Sequence, residues 1–434
     1  VGRGKMLDIT DVVTEDLDGE SESIADKMNP TLKEYYQTDD GKFYAVPFFD
    51  SVFGTVYDVD LFESEGLYYN DNGELICNDS SSDTKSAGPN GKSGDYDDGL
   101  PATFTQWKNL LDTMKYDFSI TPYVWTGEYP YYRYRWLTSM WADYEGKSDF
   151  DLNMSFDGTY TFDGDSEPTV ITTENAYLLQ KQQGKKYALD FAEYVIDGGY
   201  YYTSSFDSTY THMMAQHSYL DSAVYGQRIA MIIEGGWWEN EARSFFGEIA
   251  AESGDEYAFG VRRFAFMPAP KSDDGKSAPG TTLISSTGNS VAFIAANTSE
   301  AELAKDFLRF VHTDHGLRTF TRMTGAIRPY DYELENGDLA EMTHYAKNMW
   351  DIYHDDDTAI SYVTLYHNDC FIHETSFLGS NWWWRTTVNG HEYLDAMYEF
   401  TQEPSLNAEN WFLGLQETFS EENWKSRMSA YFTR

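Results

Sequence analysis

The sequence predicts an α/β fold in two lobes, on three observations. Ile229-Ala230-Met231-Ile232-Ile233 is an unbroken apolar run between Gln227-Arg228 and Glu234-Gly235-Gly236, which reads as a strand buried on both faces, the habit of a parallel sheet with helices above and below. Helical stripes occur along the chain, as at Trp107, Leu110, Leu111 and Met114. At 434 residues the chain exceeds the size at which one core keeps growing, so two lobes are the default, each able to bury its own core.

The apolar run is expected to be a central strand. Glu234 and the two glycines then fall at its C-terminal end, where open α/β sheets place their ligand crevice, and Trp237-Trp238 follow at once. That sets two indoles at the mouth of a cleft. For each of them, packing under the next helix is the competing reading.

Taken in order, the stretch 41–47 alternates up to Pro47, and Val52-Phe53-Gly54-Thr55-Val56-Tyr57 is a second β-rich run. Asp58-Val59-Asp60-Leu61-Phe62 begins a short helix. Residues 69–99 are rich in Asn, Asp, Ser and Gly and have no period, so they read as a surface insertion. Thr103 and Gln106 form a capping-box pattern ahead of the Trp107 stripe. A strand is expected over 120–125, then an aromatic cluster, Gly127 to Trp136, leading into a helix. The stretch 149–173 reads as loop. Tyr187, Phe191, Tyr194 and Val195 mark a helix that Gly198-Gly199 can end, and a helix over 208–223 feeds the central strand.

Phe264-Ala265-Phe266-Met267 and Ser290-Val291-Ala292-Phe293-Ile294 read as strands on either side of a loop over 271–289. Ser299 and Glu302 suggest another capping box, with Leu303, Phe307, Phe310 and Val311 on one stripe expected in the core. Helical patterns dominate after Asn389, and Ser420 suits the N-cap of a last helix carrying Trp424, Met428, Tyr431 and Phe432.

Charge and composition narrow the function. With 72 acidic against 31 basic residues the net charge is −41, which repels phosphate backbones and anionic membranes, so no nucleic acid partner is expected. Aromatic residues make up 17%, with 12 Trp and 34 Tyr. Their flat apolar faces and polar tips suit ligands that are hydroxylated at the edge, as sugars are. No apolar run is long enough to span a bilayer. Cys77 and Cys370 are too few for a disulfide framework.

Several motifs fail on their surroundings. Gly88-Pro89-Asn90-Gly91-Lys92-Ser93 lacks the first glycine and the preceding strand of a phosphate loop. His367, Cys370 and His373 have no fourth ligand. Asp95, Asp97 and Asp98 lie in an oxygen-rich turn suited to calcium, without the twelve-residue pattern of the helix–loop–helix calcium site. A solvated acidic loop is the preferred reading, with Asp95, Asp97 and Asp98 a weak candidate for structural calcium; no other metal and no cofactor is expected.

Separated blocks resemble the bacterial extracellular solute-binding proteins of sugar ABC transporters, the maltose-binding-protein-like family. They are Gly41 to Pro47 with Tyr57-Asp58-Val59-Asp60-Leu61-Phe62, Leu100-Pro101-Ala102-Thr103-Phe104, Ala230 to Trp237, and Ala304-Lys305-Asp306-Phe307-Leu308-Arg309-Phe310-Val311. The resemblance implies two α/β lobes joined by crossing strands, closing as a hinge over a ligand in the cleft between them. The first lobe would comprise 1–121 and 285–330, the second 122–284 and 331–434, with 69–99 as an insertion.

Family members usually begin with a signal peptide, often a lipidated cysteine, and a β-α-β unit ahead of the segment that looks like Leu7 to Val13. That unit is missing here, and an incomplete first-lobe sheet is expected to expose an edge and apolar surface.

Carried over by position, the ligand residues are Phe49 and Asp50 at a first-lobe strand end, and Trp125, Glu128, Tyr129 and Tyr131 after the first crossing. To these it adds Trp237, with Trp238 beside it, and Trp382, Trp383 and Arg385 in the late aromatic segment, while Trp384 faces a core. The implied function is extracellular capture of an oligosaccharide by a monomer, at the cell surface on a lipid anchor or in the periplasm, for delivery to permease subunits, without catalysis. Two other readings stay open. One is a binder of a peptide or polyamine; the other is a glycoside hydrolase using Asp50 and Glu128 as its carboxylate pair.

Overall fold

The computed structural model describes residues 4–50, 52–76, 85–285, 290–363 and 382–429. Cys77, Cys370, His367, His373, Tyr431 and Phe432 lie outside the described residues, as does the side chain of Trp382. The central sheet has four strands, ordered Thr121–Val124, Ile229–Gly235, Phe53–Asp58, Phe264–Met267. Ile229–Gly235 is central and buried throughout, as expected. It runs parallel to Thr121–Val124 but antiparallel to Phe53–Asp58, so the sheet is mixed rather than parallel.

Successive side chains of a strand point to opposite faces. Met231 and Ile233 therefore join one core with Trp107, Trp136 and Phe191, while Ile232 joins another with Trp238, Phe246 and Phe264. Two helices cover the first face. Phe104–Asp112 is N-capped by Thr103, whose side chain accepts from the Gln106 amide; Gln183–Asp197 ends at Gly198-Gly199. Helix Tyr131–Glu145 crosses the same face, where Trp136 Nε1 donates to Thr55 Oγ1 at 3.0 Å.

A third core gathers Ile9, Val12, Leu32 and Phe43 with Leu308, Leu317, Ile327 and Trp350. The boundary expected at residue 121 falls inside the Trp107 core, which already contains Tyr57, Leu110 and Tyr123. The chain passes from the Ile9 core to the central sheet around Phe48 to Val52: Phe48 N donates to Ser290 O, Asp50 N to Ile327 O, and Gly236 N to Val52 O. A second crossing is the parallel pair Thr281–Ser285 and Thr358–Tyr362. Thr281–Ser285 was expected to be loop, because its β-strand partner lies far away in sequence. Likewise 149–173 contains the helix Lys147–Ser155, held by buried Phe150, and the hairpin of Gly158–Tyr160 with Thr169–Ile171.

Helix Ala301–Phe310 departs most from expectation. Leu303, Phe307 and Phe310 are 66%, 64% and 56% exposed, while Leu308 is buried at 6%. The helix packs through Leu308 with Ala304 and Val311, so its bulkier apolar stripe faces outward. Nor does the capping box form: Glu300 stands at the N-cap with no side-chain hydrogen bond. Val291 and Phe293, in and beside the two-stranded pair of Val46–Pro47 with Val291–Ala292, are exposed as well.

Candidate ligand cleft

The pairing of Phe53 with Gly235 sets the start of one strand against the end of the other. Gly235 lets the chain double back: a Cβ there would lie 2.2 Å from the Trp237 ring. The half-buried indole is fixed by Phe53, whose ring meets it edge-on with centroids 5.0 Å apart, and by Phe49 at 6.5 Å. Phe53 also packs edge-on against Tyr132 (5.3 Å) and Tyr131 (6.2 Å), the latter 39% exposed. Tyr129 continues the row, 6.0 Å from Tyr131 and 5.5 Å from the His212 ring. Aromatic rings thus run from Phe49 past Trp237 and the tyrosines to His212.

Polar groups stand under this row. Gln216 Nε2 donates to Glu234 Oε1 (3.0 Å) and to Glu241 Oε2 (2.7 Å), while Gly235 N donates to Glu234 Oε2 (2.8 Å). His212 Nε2 lies 3.7 Å from Glu241 Oε1. Burial pushes the Glu234 carboxyl up to about 8 against those donors. Burial, with the charge of Glu234 next, also raises the Tyr132 phenol, so its hydroxyl stays a donor at neutral pH. Arg133 holds this end of its helix: Nε donates to Asp395 Oδ2 at 3.0 Å and Nη1 to Thr126 O at 3.3 Å.

Asp50 sits at the crossing. Ser285 Oγ donates to its Oδ1 at 2.9 Å and Tyr362 OH to its Oδ2 at 3.2 Å, and burial raises its carboxyl to about 7.

The family's sequence profile, described as bacterial extracellular solute-binding protein, matches residues 3–348. The chain belongs to that family. No curated protein matches this solute-binding protein. Among solved structures its fold is similar to three that are 12–13% identical in sequence. One is RafE in complex with raffinose (TM-score 0.54, 97% of this chain and 81% of that one). Another is a chitin oligosaccharide binding protein (0.53, 98% and 80%), and the third is maltose-bound MalE3 of T. maritima (0.52, 96% and 80%). Those likenesses establish a two-lobed binding-protein fold. Among the described residues, no helix of the solute-binding protein is long and apolar enough to cross a membrane.

Not every expected ligand residue joins this row. Phe49, Tyr129, Tyr131 and Trp237 come together; Glu128 is exposed next to Tyr129. Trp125 is fully buried against Tyr201 and Phe206, because it shares the strand parity of Tyr123 and points into the same core. Trp238 is fully buried among Tyr219, Phe264 and Tyr345, since the turn into helix Trp238–Glu241 sends consecutive indoles in opposite directions. Trp383 and Trp384 both pack on Trp141, at 5.7 and 5.9 Å, because 382–384 form a 3₁₀ turn and not an alternating strand. Trp384 was expected in a core; Trp383 was not. Arg385 pairs with Glu392 at 3.0 Å across the hairpin Thr386–Val388 and His391–Tyr393.

Phe53, Tyr132, His212, Gln216 and Glu241, which the sequence reading did not single out, adjoin the aromatic row and Glu234. The four-residue spacing of His212 and Gln216 on one helix face was a usable signal.

Proposed function

We propose that this protein captures a carbohydrate between its two halves outside the cell and delivers it, unaltered, to the permease of an ABC transporter. The observation that carries the reading is Trp237, partly exposed yet held in one orientation by Phe53 and by the fold-back over Gly235. A fixed indole face covers the C–H face of a pyranose at little entropic cost. The tyrosine hydroxyls donate to, and the Glu241 carboxylate accepts from, sugar hydroxyls at its edge, while buried Glu234 holds Gln216 beneath the row. A row of rings suits an oligosaccharide better than one sugar unit. The names of the similar structures, which refer to raffinose, chitin oligosaccharide and maltose, support this reading.

A ligand touching both the Trp237 side and the Phe49–Asp50 crossing favours the closed hinge, because it gains contacts there that the open form lacks. Micromolar affinity, about −8 kcal/mol, suffices for capture. Asp50 has both oxygens engaged, so it works as a strut at the crossing and not as half of a hydrolytic pair. In this reading it acts as a monomer, at the cell surface on a lipid anchor or in the periplasm.

Titration calorimetry against a panel of oligosaccharides, peptides and polyamines tests the reading. An oligosaccharide is expected to bind, Trp237→Ala to abolish that binding, and no new reducing ends to form on incubation. Binding of an amine or peptide with no glycan, or unchanged glycan affinity in Trp237→Ala, overturns it.

A further inference from the structure

Away from the cleft, the loop 85–99 brings three carboxylates together. Asp95, Asp97 and Asp98 each offer an oxygen within 4.8 Å of the others. The loop itself engages one oxygen of Asp97, one of Asp98 and both of Asp95, whose Oδ1 accepts from Asp97 N at 3.4 Å. Asn90 Nδ2 donates to Asp95 Oδ2 (2.8 Å), Asn90 N to Asp97 Oδ2 (2.9 Å), and Gly94 N to Asp98 Oδ2 (2.8 Å).

The other oxygens are left over in a particular way. Asp97 is completely buried and its Oδ1 has no hydrogen-bond partner; Asp98 Oδ1 is a second buried oxygen without one. A buried carboxylate oxygen with no donor is costly, and like charges beside it raise the cost. Lys85 acts on Asp98 from nearby, but its ammonium sits 3.5 Å above the Tyr68 ring. Gly88, at φ +61°, lets the chain close tightly on Asp97: a Cβ there would lie 2.2 Å from Asp97 O and 2.7 Å from Asp97 Oδ1.

Asp95 and Asp98 also line an open cavity of about 850 Å³, together with Tyr57, Tyr68, Lys85 and Trp350. Water can therefore reach the cluster.

We propose that Asp95, Asp97 and Asp98 bind a calcium ion. Calcium takes six to eight oxygens at about 2.3–2.6 Å, so ligand atoms within 4.8 Å of one another can share one ion. An all-carboxylate set without His or Cys favours a hard cation over zinc. Water from the cavity completes the coordination. The ion braces a loop that reaches the second crossing, since Tyr96 OH lies 3.2 Å from Thr281 Oγ1 and Lys92 Nζ 2.8 Å from Asp357 Oδ2. The site is independent of what the cleft binds.

The test compares the protein in EDTA, in millimolar CaCl₂ and in millimolar MgCl₂ by calorimetry, and adds terbium with tyrosine excitation, for which Tyr96 is the adjacent sensitiser. Calcium is expected to raise the unfolding midpoint by about 3–5 °C, magnesium by less, and calcium to displace terbium emission. Asp97→Asn keeps an acceptor for Asn90 N while removing a charge. It is expected to unfold in EDTA no earlier than wild type, yet to lose the calcium increment and the terbium signal. Identical midpoints in EDTA and calcium without terbium emission, an equal response to magnesium, or a full calcium response in Asp97→Asn overturns the proposal.

Discussion

Trp237 lies folded back over Gly235, so that a Cβ on Gly235 would meet its ring at 2.2 Å while the Gly235 amide donates to Glu234 Oε2 at 2.8 Å. Stacking ring and buried carboxylate are thus both set by one residue without a side chain. Gly235→Ala is expected to push the indole from its seat. Ligand affinity should fall at least tenfold, about 1.4 kcal/mol, with the midpoint of unfolding moved by only a few degrees. Titration calorimetry and thermal unfolding on the same variant check both halves.

The adjacent tryptophans separate the proposed ligand contact from packing. Trp238 is fully buried among aromatic rings, so Trp238→Ala should cost about 3–5 kcal/mol of stability. Partly buried Trp237 should cost less, about 1–3 kcal/mol, when cut to Ala, yet carry the loss of binding. Urea unfolding of the two variants would contradict this assignment if their losses were equal or reversed.

Glu234 should make stability depend on pH in a direction opposite to that of a salt-bridged carboxylate. Its folded value is about 8 against an ordinary 4.5, so between those limits the folded protein binds the extra proton. Stability is then lost as pH rises from 5 towards 8. Asp50, raised to about 7, acts in the same sense. Glu234→Gln should remove its own share, about 2–4 kcal/mol, which appears as a flatter pH dependence in urea titrations at pH 5.5 and 8. A slope unchanged from wild type would remove Glu234 as its source.

One helix offers an internal control. Phe307→Ser and Phe310→Ser should each change stability by less than about 0.5 kcal/mol, because both rings are more than half exposed. Leu308→Ala, between them in sequence, should cost about 2–4 kcal/mol. Losses of several kcal/mol in the Phe variants would show that the stripe is buried after all.

This helix also marks what was legible before any coordinates. A stripe at 303, 307 and 310 announces a helix and its apolar side, but not whether a neighbour covers that side. Trp125, Trp238 and Trp383 make the same point in reverse: their aromatic character fitted a cleft equally well, and strand parity or a 3₁₀ turn turned them inward. The strand Thr281–Ser285 escaped notice because it pairs with residues more than seventy positions later. By contrast, the Thr103 cap, the Gly198-Gly199 stop and the helix ahead of the central strand are local matters, and they stand where periodicity put them.

The sequence by itself determined the central strand, the bend after it and the presence of an aromatic side chain at 237. Five apolar residues in a row cannot face water, and two glycines next to them remove the obstacle to a sharp turn. Tertiary structure decided which rings join Trp237 and which vanish into cores, and it placed Gln216 between Glu234 and Glu241. The reason is range: hydrogen bonding and dihedral preference act among neighbours in the chain, whereas exposure of a side chain depends on whichever distant element packs over it.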